Sequence, residues 1–217
     1  LAEFVVHGVT GSAFCRSVLA TLAEKGADWR FDAVQPGSFD TPGHRRLHPF
    51  GRVPILDHRG FHLYETQAIL RYLDRVLPQP LLTPATPQLA ARMDQLLGIT
   101  DAYLFGDCAS VLVQQRIIGP QLTDTPADEA AVAAVLPRAD LVFGELSRWL
   151  GPRQWFVGEA ITLADIHVAA LLDLLVMTPE WPRLVAGRGN LVAHLERMQD
   201  RPSFARTTMA RLFTLAA

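Results

Sequence analysis

Three stretches of the chain hold residue types that can bind or activate a small ligand. Ser12 closes a glycine-bearing loop, His7-Gly8-Val9-Thr10-Gly11, and stands directly before an apolar helical run. Serine in that place is a preferred helix N-cap worth about 1 kcal/mol, and on pattern alone the cap is the favoured role. Three residues on, Cys15 fills the second place of a C-x-x-C spacing whose first place is Ser12. Disulfide chemistry there lacks its attacking thiol, so Cys15 is expected as a packed helix residue. In the second stretch, Val53-Pro54-Ile55-Leu56 reads as a short buried strand beginning at a proline, which cannot donate to its own ladder. A bend explains such a proline. If the Val53–Pro54 bond is cis, the Val53 N–H and C=O are left free to pair with an extended peptide as an added strand would. The third stretch begins where the hydrophobic period changes at Glu65: Ile69, Leu70, Leu73, Val76 and Leu77 recur at helical spacing. A helix starting near Thr66 presents unpaired N–H groups beside the bend, and these stabilise a carboxylate.

Two further constellations carry less. The pairs His44/His48 and His58/His62 have the i, i+4 spacing that ligates zinc on a helix, but no convincing helix holds either pair and no third ligand lies nearby. Exposed loop histidines, and no metal, are the expectation.

The elements that must position these residues follow in order. Phe4, Val5 and Val6 form a buried strand; Phe14, Val18, Leu19, Leu22 and Ala23 share one helical face that Gly26 ends; Trp29 to Val34 is the next strand. Gln35 to Arg46 is polar and predicts an irregular loop with a short helical turn. Asp57 to Gly60 is a tight turn that folds Phe61, Leu63 and Tyr64 back along the bent strand. Residues 1–77 therefore form a small α/β, thioredoxin-like domain. Pro78, Pro80, Pro84 and Pro87 make 78–87 a linker, and 88–217 reads as an all-helical domain. Leu89, Met93, Leu96, Leu97, Leu104, Val111 and Leu112 mark a long helix to about Ile118. Another spans Ala130 to Leu150, with Pro137 a kink or break. Leu191 to Met198 and Phe204 to Leu212 close the domain.

Composition excludes several classes. The 217 residues are 49% hydrophobic with a formal charge of −2, and the basic residues are scattered, which argues against nucleic acid or an anionic membrane as partner. Cys15 and Cys108 form neither a disulfide framework nor a metal spacing, and a reducing, cytoplasmic location is expected. The apolar helix around Val168 to Met177 is interrupted by Asp173 and is too short to span a bilayer. The N-terminal residues show no basic region followed by an apolar core.

The runs Gly51-Arg52-Val53-Pro54 and Leu63-Tyr64-Glu65-Thr66-Gln67-Ala68-Ile69 resemble the glutathione-binding half of the cytosolic glutathione transferases. That family has Gly, then Lys, Gln or Arg, then Val-Pro, followed by Leu or Phe, any residue, Glu-Ser, any residue and Ala-Ile. The resemblance implies that Val53 pairs with the cysteinyl backbone of glutathione and that Glu65 and Thr66 hold its γ-glutamyl end. Threonine here replaces the more usual serine and keeps both hydroxyl and N–H. His7-Gly8, Ser12 and Arg16 are similar in spacing to the phi class and related bacterial enzymes, in which this serine donates to the glutathione sulfur. The resemblance thus moves Ser12 from cap to thiol activation. Phi enzymes often carry His-Lys where this chain has Phe39-Asp40, which leaves Arg52 and His44 as cations for the glycine carboxylate. Thr162-Leu163-Ala164-Asp165 resembles the family's capping box, a folding element.

By that resemblance the chain is a homodimeric transferase that joins glutathione, its co-substrate, to small hydrophobic electrophiles. Tyr103, Phe105 and Cys108 are candidates for the electrophile wall, and Asp101 for holding the glutathione ammonium of an adjacent subunit. Glutathione-dependent peroxidase, isomerase or dehalogenase activity on the same fold is the alternative enzyme reading, and a non-catalytic binding module the alternative of another class. The energetics require one hydroxyl. Holding a thiol mostly ionised at neutral pH takes a drop of roughly two pKa units, about 2.7 kcal/mol. A hydrogen bond to a charged acceptor contributes about 1.5–3 kcal/mol and a helix N-terminus about 0.3–2.

Overall fold

The computed structural model describes residues 3–35, 37–208 and 211. The chain divides into two compact units: Leu1–Thr83 together with the segment from Gln199 onward, and Pro84–Met198.

The first unit is built on a four-stranded sheet in the order β2-β1-β3-β4. Strand β1 (Phe4–Gly8) runs parallel to β2 (Trp29–Ala33) and antiparallel to β3 (Ile55–His58), which hairpins antiparallel with β4 (Phe61–Tyr64). A parallel neighbour demands a crossover, and α1 (Ala13–Glu24) supplies it. Its Val18, Leu19 and Leu22 are fully buried, as are Ile69, Leu70 and Leu73 of α3 (Thr66–Val76), and the two helices pack on each other. The short α2 (Pro42–Leu47) is the helical turn expected in the polar loop; Pro36 of that loop lies outside the described residues.

The Val53–Pro54 bond is cis, and so is Gln79–Pro80. The proline stretch is tied down by charge. Lys25 and Asp74, both buried, form an ion pair; Lys25 Nζ also donates to the Leu77 carbonyl at 2.8 Å, and Leu82 N–H donates to Asp74 at 3.0 Å. Such a pair is retained because hydrogen bonds satisfy its remaining capacity.

The segment after Met198 departs from the expected boundary at the linker. Helix α11 (Pro202–Arg206, following α10 at Gly189–Gln199) packs on α1 in the first unit. Arg201 forms a bidentate pair with Glu24 (2.6 and 2.8 Å), and the Arg16 guanidinium lies 4.8 Å from the centre of the buried Phe204 ring. Two ion and cation–π contacts thus draw the segment from the helical unit to the sheet unit. The helix ends at Arg206, and Leu212 lies outside the described residues.

In the second unit one continuous helix runs from Pro87 to Leu122. It is wound as α4 (Pro87–Ile99), a wide π-type stretch Thr100–Ala109, α5 (Ser110–Val113), a second wide stretch Gln114–Ile118, and α6 (Gly119–Leu122). By length and composition it could cross a bilayer. Its Met93, Leu96, Leu97, Leu104 and Leu112 are buried against α7 (Glu129–Leu150) and α8 (Leu163–Leu175), the placement of a core helix. Helix α7 passes through Pro137 without ending. Proline in a helix interior costs about 3 kcal/mol, and buried Val135, Ala139, Val142, Phe143 and Leu146 on both sides of it hold the helix on course. A short α9 (Trp181–Leu184) packs on α7.

Candidate functional site

The sheet register brings the three candidate stretches to one end of the first unit. His7, near the C-terminal end of β1, pairs with Ile55, the first residue of β3, and Ile55 pairs with Tyr64, the last residue of β4. Antiparallel pairing places the Ser12 loop, the cis-Pro54 bend and the start of α3 side by side. Adjacent strands lie about 4.8 Å apart, so the β1, β3 and β4 ends span about 10 Å. Val53 precedes both ladders, as an edge offered to a ligand must.

Ser12 is the N-cap of α1, with its Oγ accepting from Cys15 N–H at 3.3 Å. It is half-buried, and as an acceptor its hydroxyl keeps a proton to donate. Directly beneath, Cys15 is fully buried, and burial pushes its thiol up to about 11, the reverse of a reactive cysteine. Gly8 has a use that spacing did not reveal. A Cβ there would sit 2.7 Å from Cys15 Sγ and 2.9 Å from the Phe31 ring, so the strand end can approach the helix only without a side chain.

Glu65 is held at φ 70°, ψ 113°, in the left-handed region that disfavours side chains. Non-glycine residues there cost of order 1–3 kcal/mol and cluster at ligand sites. Its side chain makes no capping hydrogen bond to the first N–H groups of α3. Thr66, the first residue of α3, is buried at the same place.

The two candidate cations differ in exposure. His44 is buried, with Nε2 donating to the Arg52 carbonyl at 2.9 Å and its ring edge-on to Phe39. It braces the loop ahead of Pro54. Arg52 is exposed and pairs with no carboxylate among the described residues. His48, expected on an exposed loop, is likewise buried, its ring 4.7 Å from Tyr64. Burial pushes its imidazole down despite the pull of Glu65. His58 and His62 lie on β3 and β4. His58 stacks on Phe4 at 4.4 Å and meets the Tyr72 hydroxyl at 2.7 Å, whereas His62 is the exposed histidine foreseen.

In the second unit, the three residues expected to share an electrophile wall differ in burial. Tyr103 is exposed with the Arg138 guanidinium of α7 over its ring, Phe105 is half-buried, and Cys108 is fully buried, its thiol pushed up to about 12 by burial and by Asp107. Of the three, Phe105 alone lies between surface and core. Asp101 is already engaged: the fully buried His167 of α8 meets its Oδ1 at 2.6 Å. No sequence spacing links these two residues, which is why His167 was missed. Asp165 accepts from Phe156 N–H, Thr162 N–H and the Thr162 hydroxyl at 2.7–2.9 Å. That is the capping box, buried and structural.

Known proteins resemble this chain over most of its length. Residues 11–76 match the family model of the glutathione S-transferase N-terminal domain and residues 105–202 that of the C-terminal domain. Glutathione S-transferase F14 of Arabidopsis thaliana is 31% identical over 213 residues, covering 95% of this chain and 81% of that protein. Glutathione S-transferase 3 of Zea mays is 30% identical over 214 residues, covering 97% and 95%. Among solved structures, glutathione S-transferase III in its apo form superposes with a TM-score of 0.84 at 30% identity, covering 95% of each chain. Glutathione S-transferase-I bound with lactoylglutathione gives 0.85 at 22% identity over 97% and 100%, a likeness of fold.

Proposed function

The chain belongs to the glutathione S-transferase family, and from that premise we propose that it is a serine-type transferase joining the thiolate of glutathione to small hydrophobic electrophiles. Support comes from the register that sets Ser12, Val53 and the start of α3 at one sheet end. Glutathione lies extended along the Val53 edge, its cysteinyl amide pairing with the Val53 backbone. Its γ-glutamyl carboxylate meets the first N–H groups and hydroxyl of Thr66, and its ammonium meets Glu65. Arg52, the exposed cation of the bend, takes the glycine carboxylate.

In this arrangement the Ser12 hydroxyl donates to the cysteinyl sulfur. The thiol proton passes to solvent, and the charge left on sulfur is stabilised by that O–H and by the positive end of α1. A hydrogen bond to an anion of about 1.5–3 kcal/mol matches the roughly 2.7 kcal/mol that two pKa units demand. The sulfur lone pair then forms the S–C bond as a leaving group departs or as a π bond accepts the electrons. Phe105 is the one candidate left for the electrophile wall, and the active form is a homodimer in the cytoplasm. Calorimetry with glutathione tests the binding half: one site per chain is expected for the wild type and strongly weakened binding for Glu65→Ala. An unchanged affinity in that variant contradicts the placement.

A further inference from the structure

At the end of the sheet opposite Ser12, three side chains of the first unit form a relay of hydrogen bonds. His58, the last residue of β3, pairs with Phe61 of β4 and with Phe4 of β1, and lies about 10 Å along β3 from Ile55. Helix α3 starts at Thr66 and runs back over the sheet, reaching Tyr72 after about 9 Å. The two rises match, so Tyr72 arrives at His58. Its hydroxyl meets His58 Nδ1 at 2.7 Å, and His58 Nε2 meets Glu3 Oε1 at 3.0 Å. The acid sets the direction of both bonds. A carboxylate only accepts, so Nε2 carries the imidazole proton, and that bond holds the Glu3 carboxyl below its ordinary range. Nδ1 is left with a lone pair, to which the Tyr72 O–H donates. The imidazole is fixed by its stack on Phe4 at 4.4 Å, and Arg59, 2.9 Å from the same Glu3 oxygen, holds the acid. A hydroxyl with a base on its proton, and an acid orienting the base, is the arrangement that activates a nucleophile.

The rest of the chain offers an acyl donor little. Its one lysine, Lys25, is buried in the ion pair with Asp74. Cys15 and Cys108 are buried, their thiols pushed up to about 11 and about 12, chiefly by that burial. Of the three tyrosines Tyr103 alone is exposed, and among the described residues no hydrogen bond reaches the hydroxyl of Tyr103 or Tyr64. Tyr72 is half-buried, with the exposed ring of Phe61 5.2 Å from its own. An exposed ring beside an activated phenol suits an ester whose leaving group is itself aromatic. We propose that Tyr72 is an acyl-accepting nucleophile for aryl esters, its proton taken by His58 and the ester's ring set against Phe61. The Tyr72 Oη–acyl bond forms as the bond from the acyl carbon to the aryl oxygen breaks. The phenolic proton moves to His58 Nδ1 and on to the departing phenoxide, leaving the acyl group as an ester on Tyr72. The site shares no residue with the grouping of Ser12, Val53 and Thr66 and does not rest on the conjugation reading.

The test is incubation of the full chain with p-nitrophenyl acetate, without glutathione, and peptide mass spectrometry of the acetyl group on each tyrosine over time. A positioned base contributes about 10²–10⁴-fold, so near neutral pH half-buried Tyr72 should be acetylated at least about tenfold faster than exposed Tyr103. His58→Phe keeps a ring against Phe4 and removes the base; Tyr72 should slow at least about tenfold while Tyr103 keeps its rate. Glu3→Gln can donate to Nε2, which returns the proton to Nδ1 and removes the acceptor, and should also slow Tyr72 about tenfold. The groups that face His58 are Glu3 ahead of β1, Arg59 of the turn and Tyr72 of α3. At about pH 10, where a phenol ionises without help, the ratio of Tyr72 to Tyr103 acetylation in both variants should approach that of wild type. A loss of packing would persist there. Should His58→Phe fail to fold, Glu3→Gln, at an exposed position, carries the test alone. Tyr103 outpacing Tyr72 in wild type, a Tyr72 rate unchanged in the folded variants, or a loss that persists at about pH 10 each overturns the proposal.

Discussion

Replacing Ser12 by alanine removes two things at once, and the structure separates them. The Oγ accepts from Cys15 N–H at 3.3 Å, so its loss uncaps α1. That destabilises the fold by about 1 kcal/mol. In the glutathione complex the same hydroxyl loses its bond to the sulfur, about 1.5–3 kcal/mol, which raises the bound thiol's pKa by roughly one to two units. At pH 6.5, where the thiolate fraction then falls in proportion, kcat/KM should drop about 10- to 100-fold. At a pH above the shifted pKa most of the loss should be recovered, because no general base is removed. Ultraviolet thiolate absorbance of the glutathione complex, titrated with pH, reads the pKa directly, and urea unfolding reads the cap. Ser12→Thr, which retains the hydroxyl, should recover the low pKa. If Ser12→Ala unfolds more easily yet binds glutathione with an unshifted thiol pKa, Ser12 is a cap and nothing more.

Other consequences are as direct. Arg52→Gln should raise KM for glutathione about tenfold while leaving kcat at saturation near wild type, as expected for a contact made equally in ground and transition states; an unchanged KM would assign the glycine carboxylate elsewhere. Gly8→Ala forces a Cβ to within 2.7 Å of the Cys15 sulfur, and overpacking of this kind costs about 1–3 kcal/mol. Urea unfolding of Gly8→Ala with and without Cys15→Ala should show the second change relieving the first. Stability should also fall in mild acid. Burial pushes the imidazoles of His7, His48 and His194 below the ordinary value of 6.5, so the unfolded chain binds more protons as pH drops through that value. Their contribution is complete above about pH 6.5 and is lost below it; urea midpoints between pH 5 and 8 should decline on the acid side, and less steeply in His48→Gln.

The sequence alone carried the strands, most helices and the bend at Pro54, because each is written in a short local signal, whereas the grouping of Ser12 with Val53, Glu65 and Thr66 came from the family resemblance. Turn chemistry, capping and the switch from period 2 to period 3.6 act over a few neighbours. Other decisions rest on groups far apart in the chain. Glu24 and Arg201 are separated by 177 positions, and their pair assigns the C-terminal segment to the sheet unit. His167 reaches Asp101 across 66 positions. His44 and His48 have the spacing of loop ligands, yet the Arg52 carbonyl and the Tyr64 ring bury them. Local pattern says which face of an element is apolar, and only the assembled fold says what meets that face. That is why the use of Gly8 and the different burial of Tyr103 and Cys108 became visible only when the helices and strands were in place.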